Sequence, residues 1–360
     1  MTNIKKNLSI YAGKTVLVTG DTGFKGSWLS IWLLSLGAKV IGYSLPPRTN
    51  RDNFVRCGLD KRIAHIDGDI RDVRKLSRVM RRYKPDMAFH LAAQPLVIES
   101  YKDPAETFDV NVQGTVNFLE AVCKNPCVKA AVVITTDKVY ENPENFRAFR
   151  ESDPLGGHDP YSASKAAAEM VVQSYLRSFF IFPNAPAIAS ARAGNVIGGG
   201  DWALHRIVPD CMRALAKGKP VVLRNPDSVR PWQHVLEPLY GYLLLGAALF
   251  KGGRKFAGAW NFGPDQKQTR PVRQLAETII KEWGEGRIEE PKRTGAKPHE
   301  AALLRLDSSK ARKALGWKPA LSFARTIQWT VEEYRIARES PEKVYRQRTA
   351  RILDFMSGRS

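Results

Sequence analysis

Short runs of aliphatic and β-branched residues alternate along the first half of the chain with longer segments of helical periodicity. The runs lie at residues 14–19, 38–43, 62–70, 86–91 and 130–135. Such runs are typical of strands buried in a parallel sheet. Between the first two, Lys25 to Leu36 are predicted to form a helix that ends at Gly37, a residue suited to a helix C-terminus. Strands separated by helices predict a parallel sheet with right-handed crossovers.

The pattern changes after Arg192. Glycine- and proline-rich segments extend to Pro238, an apolar helix is predicted for residues 236–250, and a returning strand follows at residues 259–263. We therefore predict an α/β fold, a Rossmann-like doubly wound parallel sheet with a smaller, interleaved α/β substrate domain. The predicted division is a dinucleotide-binding domain (1–193 and 236–262), a substrate domain (194–235 and 263–345) and a C-terminal tail (346–360).

Length and composition are ordinary for a globular protein, with 360 residues, of which 43% are hydrophobic and 26% charged. No apolar stretch approaches the roughly 20 residues of a membrane span. The start of the chain also lacks the apolar core of a secretion signal. The four cysteines are too scattered for a disulfide framework or a metal site, so we expect no metal and a cytoplasmic location.

The formal net charge of +20 is the unusual bulk property. It suits an anionic ligand, a nucleic acid or an acidic membrane surface. The basic residues are spread along the chain, and the densest group, at residues 71–82, has the pattern of a solvated helix face. Because no aromatic-flanked basic motif accompanies them, we favour an anionic small-molecule substrate and expect no nucleic-acid partner.

A glycine-punctuated turn follows the first strand and precedes the first long helix, which is the context of a dinucleotide-binding site. Gly20 permits the tight turn, Gly23 lets the backbone approach a pyrophosphate, and Gly26 allows close packing of helix on strand. The helix N-terminus adds amide donors and the positive end of its dipole. The cofactor contacts predicted in this turn are Gly20, Thr22, Gly23, Phe24, Lys25 and Gly26.

The choice of dinucleotide is open at this point. A carboxylate about 20 residues beyond the turn usually binds the ribose of NAD, yet Tyr43, Ser44 and Leu45 supply none. Arg48 is placed to approach the 2′-phosphate of NADP instead. Asp69 and Ile70 are expected beside the adenine. Together with these two, the further cofactor contacts predicted are Ser44, Leu91, Ala92 and Ala93.

Tyr161 and Lys165 lie four residues apart, and this spacing puts both side chains on one face of a helix. An ammonium near a phenol stabilises the phenolate, so we expect Tyr161 to exchange a proton near neutral pH although free tyrosine titrates near 10. The spacing is a weak signal alone and becomes a strong one downstream of a dinucleotide turn.

Thr136, Asp137 and Lys138 follow a predicted strand, at the edge of the sheet where ligands of open α/β folds bind. Thr136 is placed to bond a substrate hydroxyl. A simple alcohol oxidation needs that hydroxyl holder, Tyr161 and Lys165, and has no use for a further acid and base. The additional pair fits a second proton-transfer stage, such as elimination. The alternative role of Thr136 and Asp137 is to cap a helix, and that of Lys138 is a solvated surface charge.

These motifs resemble the extended short-chain dehydrogenase/reductase superfamily and, within it, the branch of CDP-glucose 4,6-dehydratases. The resemblance covers nearly the whole chain. The segments that carry it are Gly20 to Leu29, His90 to Val97, Thr136 to Lys138, Arg192 to Trp202 and Arg230 to Pro238. Related hexose dehydratases usually have Asp-Glu where this chain has Asp137 and Lys138, and the lysine favours the CDP-glucose branch.

The resemblance implies a three-stage reaction with NAD, which members of this branch bind loosely. Tyr161 takes the proton of the sugar's 4-hydroxyl while hydride leaves carbon 4, Thr136 orients that hydroxyl, and Lys165 lowers the tyrosine's pKa and holds the nicotinamide ribose. Asp137, as acid, and Lys138, as base, then eliminate water from carbons 5 and 6. The hydride returns to carbon 6. Asn111 holds the local helix geometry and a relay water.

The resemblance also implies the substrate contacts and the assembly. Gln94 is expected near the hexose, Asn195, Arg206 and Arg230 near the pyrophosphate, and His299 in the second domain. A surface ion pair is the alternative role for each arginine. Helices like 103–124 and 161–179 pair in the superfamily's homodimers and homotetramers. The implied pathway is deoxysugar biosynthesis for the lipopolysaccharide O-antigen.

Three other functions stay open. The first is an epimerase, decarboxylase or dehydratase acting on another nucleotide-sugar. The second is a non-catalytic NAD(P)-binding scaffold, although such a protein need not keep Thr136, Tyr161 and Lys165 together. The third is a nucleic-acid binder, which rests on charge alone.

Overall fold

A computed structural model describes residues 3–142, 147–265, 268–290 and 304–358. The strands are β1 (Thr15–Thr19), β2 (Lys39–Ser44), β3 (Ala64–Asp67), β4 (Met87–His90), β5 (Ala130–Ile134), β6 (Ala187–Arg192), β7 (Val196–Ile197), β8 (Val221–Val222), β9 (Val229–Pro231), β10 (Gln233–His234), β11 (Gly258–Asn261), β12 (Thr269–Pro271) and β13 (Ile288–Glu289).

The helices are α1 (Asn3–Asn7), α2 (Phe24–Ser35), α3 (Asn53–Arg56), α4 (Val73–Tyr83), α5 (Val97–Lys102), α6 (Pro104–Phe108), α7 (Gly114–Cys123), α8 (Pro160–Ser178), α9 (Ile207–Leu215), α10 (Leu236–Gly252), α11 (Val272–Trp283), α12 (Ser309–Leu315), α13 (Phe323–Glu339) and α14 (Val344–Ser357). None of the helices in the described segments combines the length and apolarity needed to cross a membrane.

Seven strands form one parallel sheet in the order β11-β6-β5-β4-β1-β2-β3. Successive side chains of a strand point to opposite faces, and both faces are covered. Val16 and Val18 of β1 belong to the core beneath α2, α10 and α14, whereas Leu17 belongs to the core beneath α4, α7 and α8. The predicted doubly wound parallel fold is confirmed.

The predicted strands at 14–19, 38–43, 86–91 and 130–135 correspond to β1, β2, β4 and β5, and Gly37 follows α2 with a left-handed φ of +81°. The pattern analysis did not include β6. Its run of Ala187, Ala189, Ser190 and Ala191 has low intrinsic strand propensity, and it becomes a strand because it pairs with β5 and β11 inside the sheet.

A further hydrophobic core joins α9, α11 and α13, and its buried members fall within residues 197–232 and 275–334. These ranges lie inside the segments assigned to the substrate domain. Most of the segment expected to be a C-terminal tail is helix α14. Ile352 and Phe355 of α14 are fully buried in the core of the sheet domain beside Trp32 of α2, so this helix covers an apolar surface that would otherwise be exposed.

Candidate active site

The site forms at the carboxyl ends of β1, β4 and β5, three neighbouring strands of the sheet. The chain order reverses between β1 and β4, and this is the position where open α/β sheets bind ligands. Gly20 follows β1, Leu91 follows β4 and Thr135 follows β5. Three segments that are distant in sequence therefore meet at one edge of the sheet.

The glycine turn has the geometry of a dinucleotide cradle. Gly20 has φ +75°, and a Cβ there would lie 2.7 Å from the backbone nitrogen of Ala92. A Cβ on Gly26 would lie 2.0 Å from the carbonyl oxygen of Gly20. Gly23 begins α2 without a side-chain cap. The N–H groups of the first helical turn therefore remain available for an anion.

Hydroxyl groups connect the glycine turn to the end of β2 and to the loop after β3. The Thr22 and Ser44 hydroxyls lie 2.8 Å apart, and the Tyr43 hydroxyl donates to the carbonyl oxygen of Asp69 at 2.8 Å. The side chain of Asp69 forms an ion pair of 2.6 Å with Arg71, whose hydrogen bonds lower the pKa of that carboxyl. The end of β2 therefore presents the hydroxyl of Ser44 to this turn, and the carboxylate of Asp69 is already paired with Arg71.

The wall after β4 is fixed by Thr19. Its hydroxyl oxygen accepts hydrogen bonds from the N–H groups of Leu91 and Ala92, at 3.2 and 3.3 Å. The same oxygen lies 2.8 Å from Nδ1 of His90. Burial, followed by the nearby Lys165, lowers the pKa of His90 to about 3, so this imidazole is neutral. Ala93 continues the wall, and Ile70 is buried behind the turn.

Thr136, Asp137 and Tyr161 form a hydrogen-bonded row. The Thr136 hydroxyl lies 3.0 Å from Oδ1 of Asp137 and is also bonded to the Tyr161 side chain. Asn195, which has a left-handed φ of +52°, donates to Oδ2 of Asp137 at 3.1 Å. Asp137 is buried, whereas Lys138 is half-buried and its ammonium forms no hydrogen bond or ion pair within the described segments.

Tyr161 and Lys165 both belong to α8, but their electrostatics differ from the expectation. Burial raises the pKa of Tyr161 to about 12, against the opposing effects of the Thr136 hydrogen bond and Arg206. Burial lowers the pKa of Lys165 to about 8, and its ammonium donates to the carbonyl oxygen of Ile134 at 3.3 Å. Without ligands, the cost of burying a phenolate outweighs the nearby positive charge.

Asn111 links the wall after β4 to α8. It occupies a π-helical turn (Asp109–Gln113) that interrupts the helix predicted for residues 103–124. Its Oδ1 accepts from the N–H of Gln94 at 2.9 Å, and its Nδ2 donates to the carbonyl oxygen of Gln94 and to the Ser164 hydroxyl, at 3.1 and 2.9 Å. Ser164 donates in turn to the carbonyl oxygen of Tyr161 at 2.7 Å.

The residues predicted to contact the substrate are only partly brought together. Arg206 lies close enough to act on the charge of Tyr161 and forms an ion pair of 3.0 Å with Asp201. The Gln94 side chain bonds Leu96, two positions away, and Thr107 of α6. Arg230 is buried on β9, and its guanidinium donates to the carbonyl oxygen of Val229 at 3.0 Å. His299 lies outside the described residues.

Sequence reasoning missed Glu169, Arg192 and Tyr242. Glu169 lies one helical turn beyond Lys165, and its carboxylate forms a fully buried ion pair of 2.8 Å with Arg192. The spacing Tyr161, Lys165, Glu169 was a possible signal for it. Tyr242 lies on α10, and its hydroxyl is 3.4 Å from the ammonium of Lys25. These two residues are 217 positions apart, and no local pattern indicates their contact.

Comparison with known proteins places the chain among nucleotide-sugar enzymes. The family model described as GDP-mannose 4,6 dehydratase matches residues 17–248. The CDP-glucose 4,6-dehydratase of Salmonella typhimurium is 45% identical over 331 residues, 90% of each chain.

Two solved structures show the same fold. The dTDP-glucose 4,6-dehydratase of Streptomyces venezuelae, with NAD bound, is 28% identical with a TM-score of 0.77 and covers 91% of this chain and 97% of its own. The UDP-glucose 4-epimerase of Thermus thermophilus, in complex with NAD, is 28% identical with a TM-score of 0.75, covering 89% and 99%.

Proposed function

The chain belongs to the GDP-mannose 4,6 dehydratase family, and from this premise we propose that it converts CDP-glucose to CDP-4-dehydro-6-deoxyglucose and water. It is an enzyme, an NAD-dependent nucleotide-sugar 4,6-dehydratase. The observation that carries the reaction type is the row of Thr136, Asp137 and Tyr161, which joins a group for oxidation to a group for elimination in one hydrogen-bonded unit.

NAD fits the glycine turn. Only glycine is tolerated at positions 20 and 26, and the uncapped N-terminus of α2 faces the place of a pyrophosphate. Bound NAD supplies a reversible hydride acceptor. Thr22, Ser44 and the backbone of residues 91–93 line the remainder of its site, and Lys165 holds its nicotinamide ribose. The resemblance of this chain to enzymes that use NAD is confirmed by its structural neighbours.

Oxidation at carbon 4 assigns proton transfer to Tyr161. The Thr136 hydroxyl orients the 4-hydroxyl of the sugar, and the Tyr161 oxygen receives its proton. Since burial raises the pKa of Tyr161 to about 12, positive charge and hydrogen-bond donors near its oxygen are what favour the phenolate. Arg206 already acts in that direction.

Elimination assigns Asp137 as the acid and Lys138 as the base. Asp137 is buried and fixed from both sides by Thr136 and Asn195, so its proton is delivered at a defined position. Lys138 is half-buried and unbonded within the described segments, and its amine is free to reach the proton on carbon 5. The ketone at carbon 4 acidifies that proton, Lys138 takes it, and the 6-hydroxyl leaves as water with a proton from Asp137. When the hydride returns to carbon 6, Lys138 gives its proton back to carbon 5, which completes the 6-deoxy product.

The substrate's diphosphate is proposed to bind at Arg206, Arg230 and Asn195, and its hexose near Gln94. The fork of an arginine matches diphosphate oxygens. Arg206 precedes α9 and is held by Asp201, which fixes the guanidinium near Tyr161. The diphosphate's negative charge complements a site rich in cations. His299 stays a predicted contact from the second domain.

The assembly, location and pathway are also proposals. Exposed apolar side chains at Met170, Phe179 and Phe182, on and just beyond α8, support pairing of α7 and α8 between copies. Light scattering is expected to give two or four times the chain mass of 40.3 kDa. A cytoplasmic location accords with the four free cysteines. The pathway proposed is deoxysugar synthesis for the O-antigen.

The test is direct mass spectrometry of nucleotide-sugars after incubation with the protein and NAD. CDP-glucose should lose one water, and UDP-glucose, dTDP-glucose and GDP-mannose should react far more slowly. Deuterium at carbon 4 of CDP-glucose should reappear on the new methyl group at carbon 6. A sugar of unchanged mass but altered configuration would identify an epimerase, and no reaction with any sugar would favour a scaffold.

Lys138→Ala separates elimination from oxidation. The variant should bind CDP-glucose as the parent does. Its rate of forming dehydrated sugar should fall by about 10²-fold, the typical contribution of an acid–base group. Lys217→Ala, an exposed lysine outside the site, is the matched control. Full product formation by Lys138→Ala would remove Lys138 from the base role.

A further inference from the structure

Lys25 is a partly buried lysine that the proposed proton transfers do not use. It lies in the first turn of α2, directly after Gly23 and Phe24, where the helix N-terminus has no side-chain cap. Its ammonium is 3.4 Å from the Tyr242 hydroxyl and 5.8 Å from the centre of that ring. Within the described segments it forms no ion pair.

The charged and titratable groups around Lys25 come from every element packed against it. They are Tyr242 on α10, Arg206 and Asp201 from the segment before α9, Asp137 from the turn after β5, and Lys165 on α8. Both carboxylates are already engaged. Asp137 bonds Thr136 and Asn195, and Asp201 bonds Arg206 and the N–H of Ala203.

The ammonium of Lys25 therefore lacks a counter-ion of its own. Burial and the neighbouring cations disfavour its charged form. Burial first, and then Arg206, lower the pKa of Lys25 to about 7. A dianionic group arriving at this position would supply the missing counter-charge and restore the ammonium.

We propose that Lys25 is a proton-linked receptor for the diphosphate of an incoming nucleotide, binding it as an ammonium after taking a proton from solvent. This inference rests on the proposed function, because it assumes that the site binds diphosphate nucleotides. Both proposed ligands, the dinucleotide and the nucleotide-sugar, contain such a group. Lys25 lies in the first turn of α2 and close enough to Arg206 to feel its charge. A diphosphate bound there would contact backbone N–H groups, an ammonium and a guanidinium.

The direction of the pH effect follows from linkage. The free amine is about half protonated at pH 7 and mostly neutral at pH 8, whereas the liganded amine is charged at both. Binding then takes up about half a proton at pH 7 and about 0.9 at pH 8 through Lys25. The dissociation constant rises about fivefold between these two values of pH for the same reason.

Calorimetric titration of the full chain, freed of NAD, measures this uptake. The observed enthalpy is plotted against the ionisation enthalpy of several buffers at pH 7 and pH 8. One arm uses ADP-ribose, which has the diphosphate of the dinucleotide without its nicotinamide, and the other uses CDP-glucose. Uptake with ADP-ribose assigns Lys25 to the dinucleotide, and uptake with CDP-glucose assigns it to the nucleotide-sugar.

Two substitutions isolate the role of Lys25 from other groups. Lys25→Met should lose the Lys25 share of the uptake and the fivefold change in dissociation constant that this share causes. Lys25→Arg should keep tight binding at pH 8 with the same loss of uptake, since arginine stays charged. Lys217→Met, an exposed control, should match the parent. Circular dichroism verifies folding of each variant.

Unchanged uptake in Lys25→Met, or no uptake with either ligand in the parent, would overturn the proposal. A failure of the proposed function has a different signature. If no nucleotide-sugar loses water yet Lys25-dependent uptake is observed, the receptor role stands and the dehydratase assignment falls.

Discussion

Among the described residues, Lys25 and Lys165 lie at the ligand edge of the sheet with no carboxylate in direct contact, whereas two other buried carboxylates each meet a basic side chain. Glu169 meets Arg192 at 2.8 Å with both side chains fully buried. Glu333 of α13 meets His234 of β10 at 3.2 Å, again fully buried. We refer to Lys25 and Lys165 as the edge lysines and to the two pairs as the scaffold pairs.

The two regions both remove charged groups from water, with opposite results for the pKa of those groups. Burial lowers the pKa of Lys25 to about 7 and that of Lys165 to about 8, towards neutrality. In Glu169 and Glu333 the cationic partners overcome burial, and the pKa of each carboxyl is lowered, to about 2 for Glu333. Burial thus brings the pKa of these two lysines towards neutral pH, whereas a direct cationic partner keeps the pKa of a buried carboxyl low.

The comparison explains how groups for proton exchange coexist with groups that only support the fold. Glu169 lies one turn from Lys165, yet its carboxylate oxygens accept hydrogen bonds from Arg192, Thr135 and Ser190. Glu333 accepts from the N–H of Gly199 at 2.6 Å and so fixes the glycine loop that leads to Asp201 and Arg206. Glu169 and Glu333 thus support the edge, and the pKa of each carboxyl lies below its usual range.

Tyr161→Phe gives the largest effect expected at the edge. Removing the hydroxyl that exchanges the substrate proton should lower kcat by about 10²–10⁴-fold, the usual contribution of an acid–base group. The midpoint of thermal unfolding should change little. Steady-state product formation and a thermal melt measure the two quantities.

Tyr175→Phe is the matched control for that variant, since Tyr175 lies on the same helix with its hydroxyl on Glu120 at 2.9 Å, outside the site. Its kcat should stay near the parent value. Near-normal turnover by Tyr161→Phe would show that Tyr161 does not transfer the substrate proton. The ligand edge of the sheet would then not be the site of proton exchange.

Glu169→Gln is expected to give the largest loss of stability. Arg192 would keep its charge while fully buried and lose its carboxylate, and breaking such a pair costs about 3–5 kcal/mol in the free energy of unfolding. Urea unfolding followed by circular dichroism measures the loss. Glu169→Leu combined with Arg192→Met should regain much of it, because no buried charge is left alone. A loss below about 1 kcal/mol would show that the scaffold pair is not needed.

Acid stability tests the other scaffold pair. The pKa of Glu333 is about 2 in the fold and near 4.5 as a free side chain, so its contribution is complete above about pH 4.5 and is lost as pH falls towards 2. The contribution amounts to about 3 kcal/mol at most. Glu333→Gln should unfold more easily at pH 7 and show a flatter decline of stability over this range. An unchanged decline, measured by urea titrations at several pH values, would contradict the assignment.

The predictable parts of this molecule were those encoded by neighbouring residues. The apolar run of β1 and the spacing of Gly20, Gly23 and Gly26 predicted a strand, a turn and a helix because each depends on local backbone preference. Tyr161 and Lys165 were found through their shared helical face. The fold class and a dinucleotide site were predicted on this basis, whereas NAD itself was predicted from the family resemblance, and the chain's structural neighbours confirm it.

The paired charges were not predictable, because each depends on residues that meet only in the folded chain. Arg192 is 23 positions from Glu169, and His234 is 99 positions from Glu333. The same limit hid the true pKa of Tyr161. The sequence showed a lysine one turn away, and only the structure showed the depth of burial that outweighs it.

Lys124→Ala supplies the smallest effect and the sharpest test of burial as the deciding variable. Lys124 and Glu120 form an ion pair of 2.7 Å on α7, as close as the Glu169 pair, but 64% of the lysine side chain is exposed. Water and salt screen such pairs, so we expect a loss of about 0.3–0.5 kcal/mol or less in the free energy of unfolding, vanishing in 1 M salt. Urea unfolding at low and high salt, beside Glu169→Gln, measures both. If Lys124→Ala cost as much as Glu169→Gln, distance rather than burial would set the strength of these pairs, and the contrast between edge and scaffold would lose its physical basis.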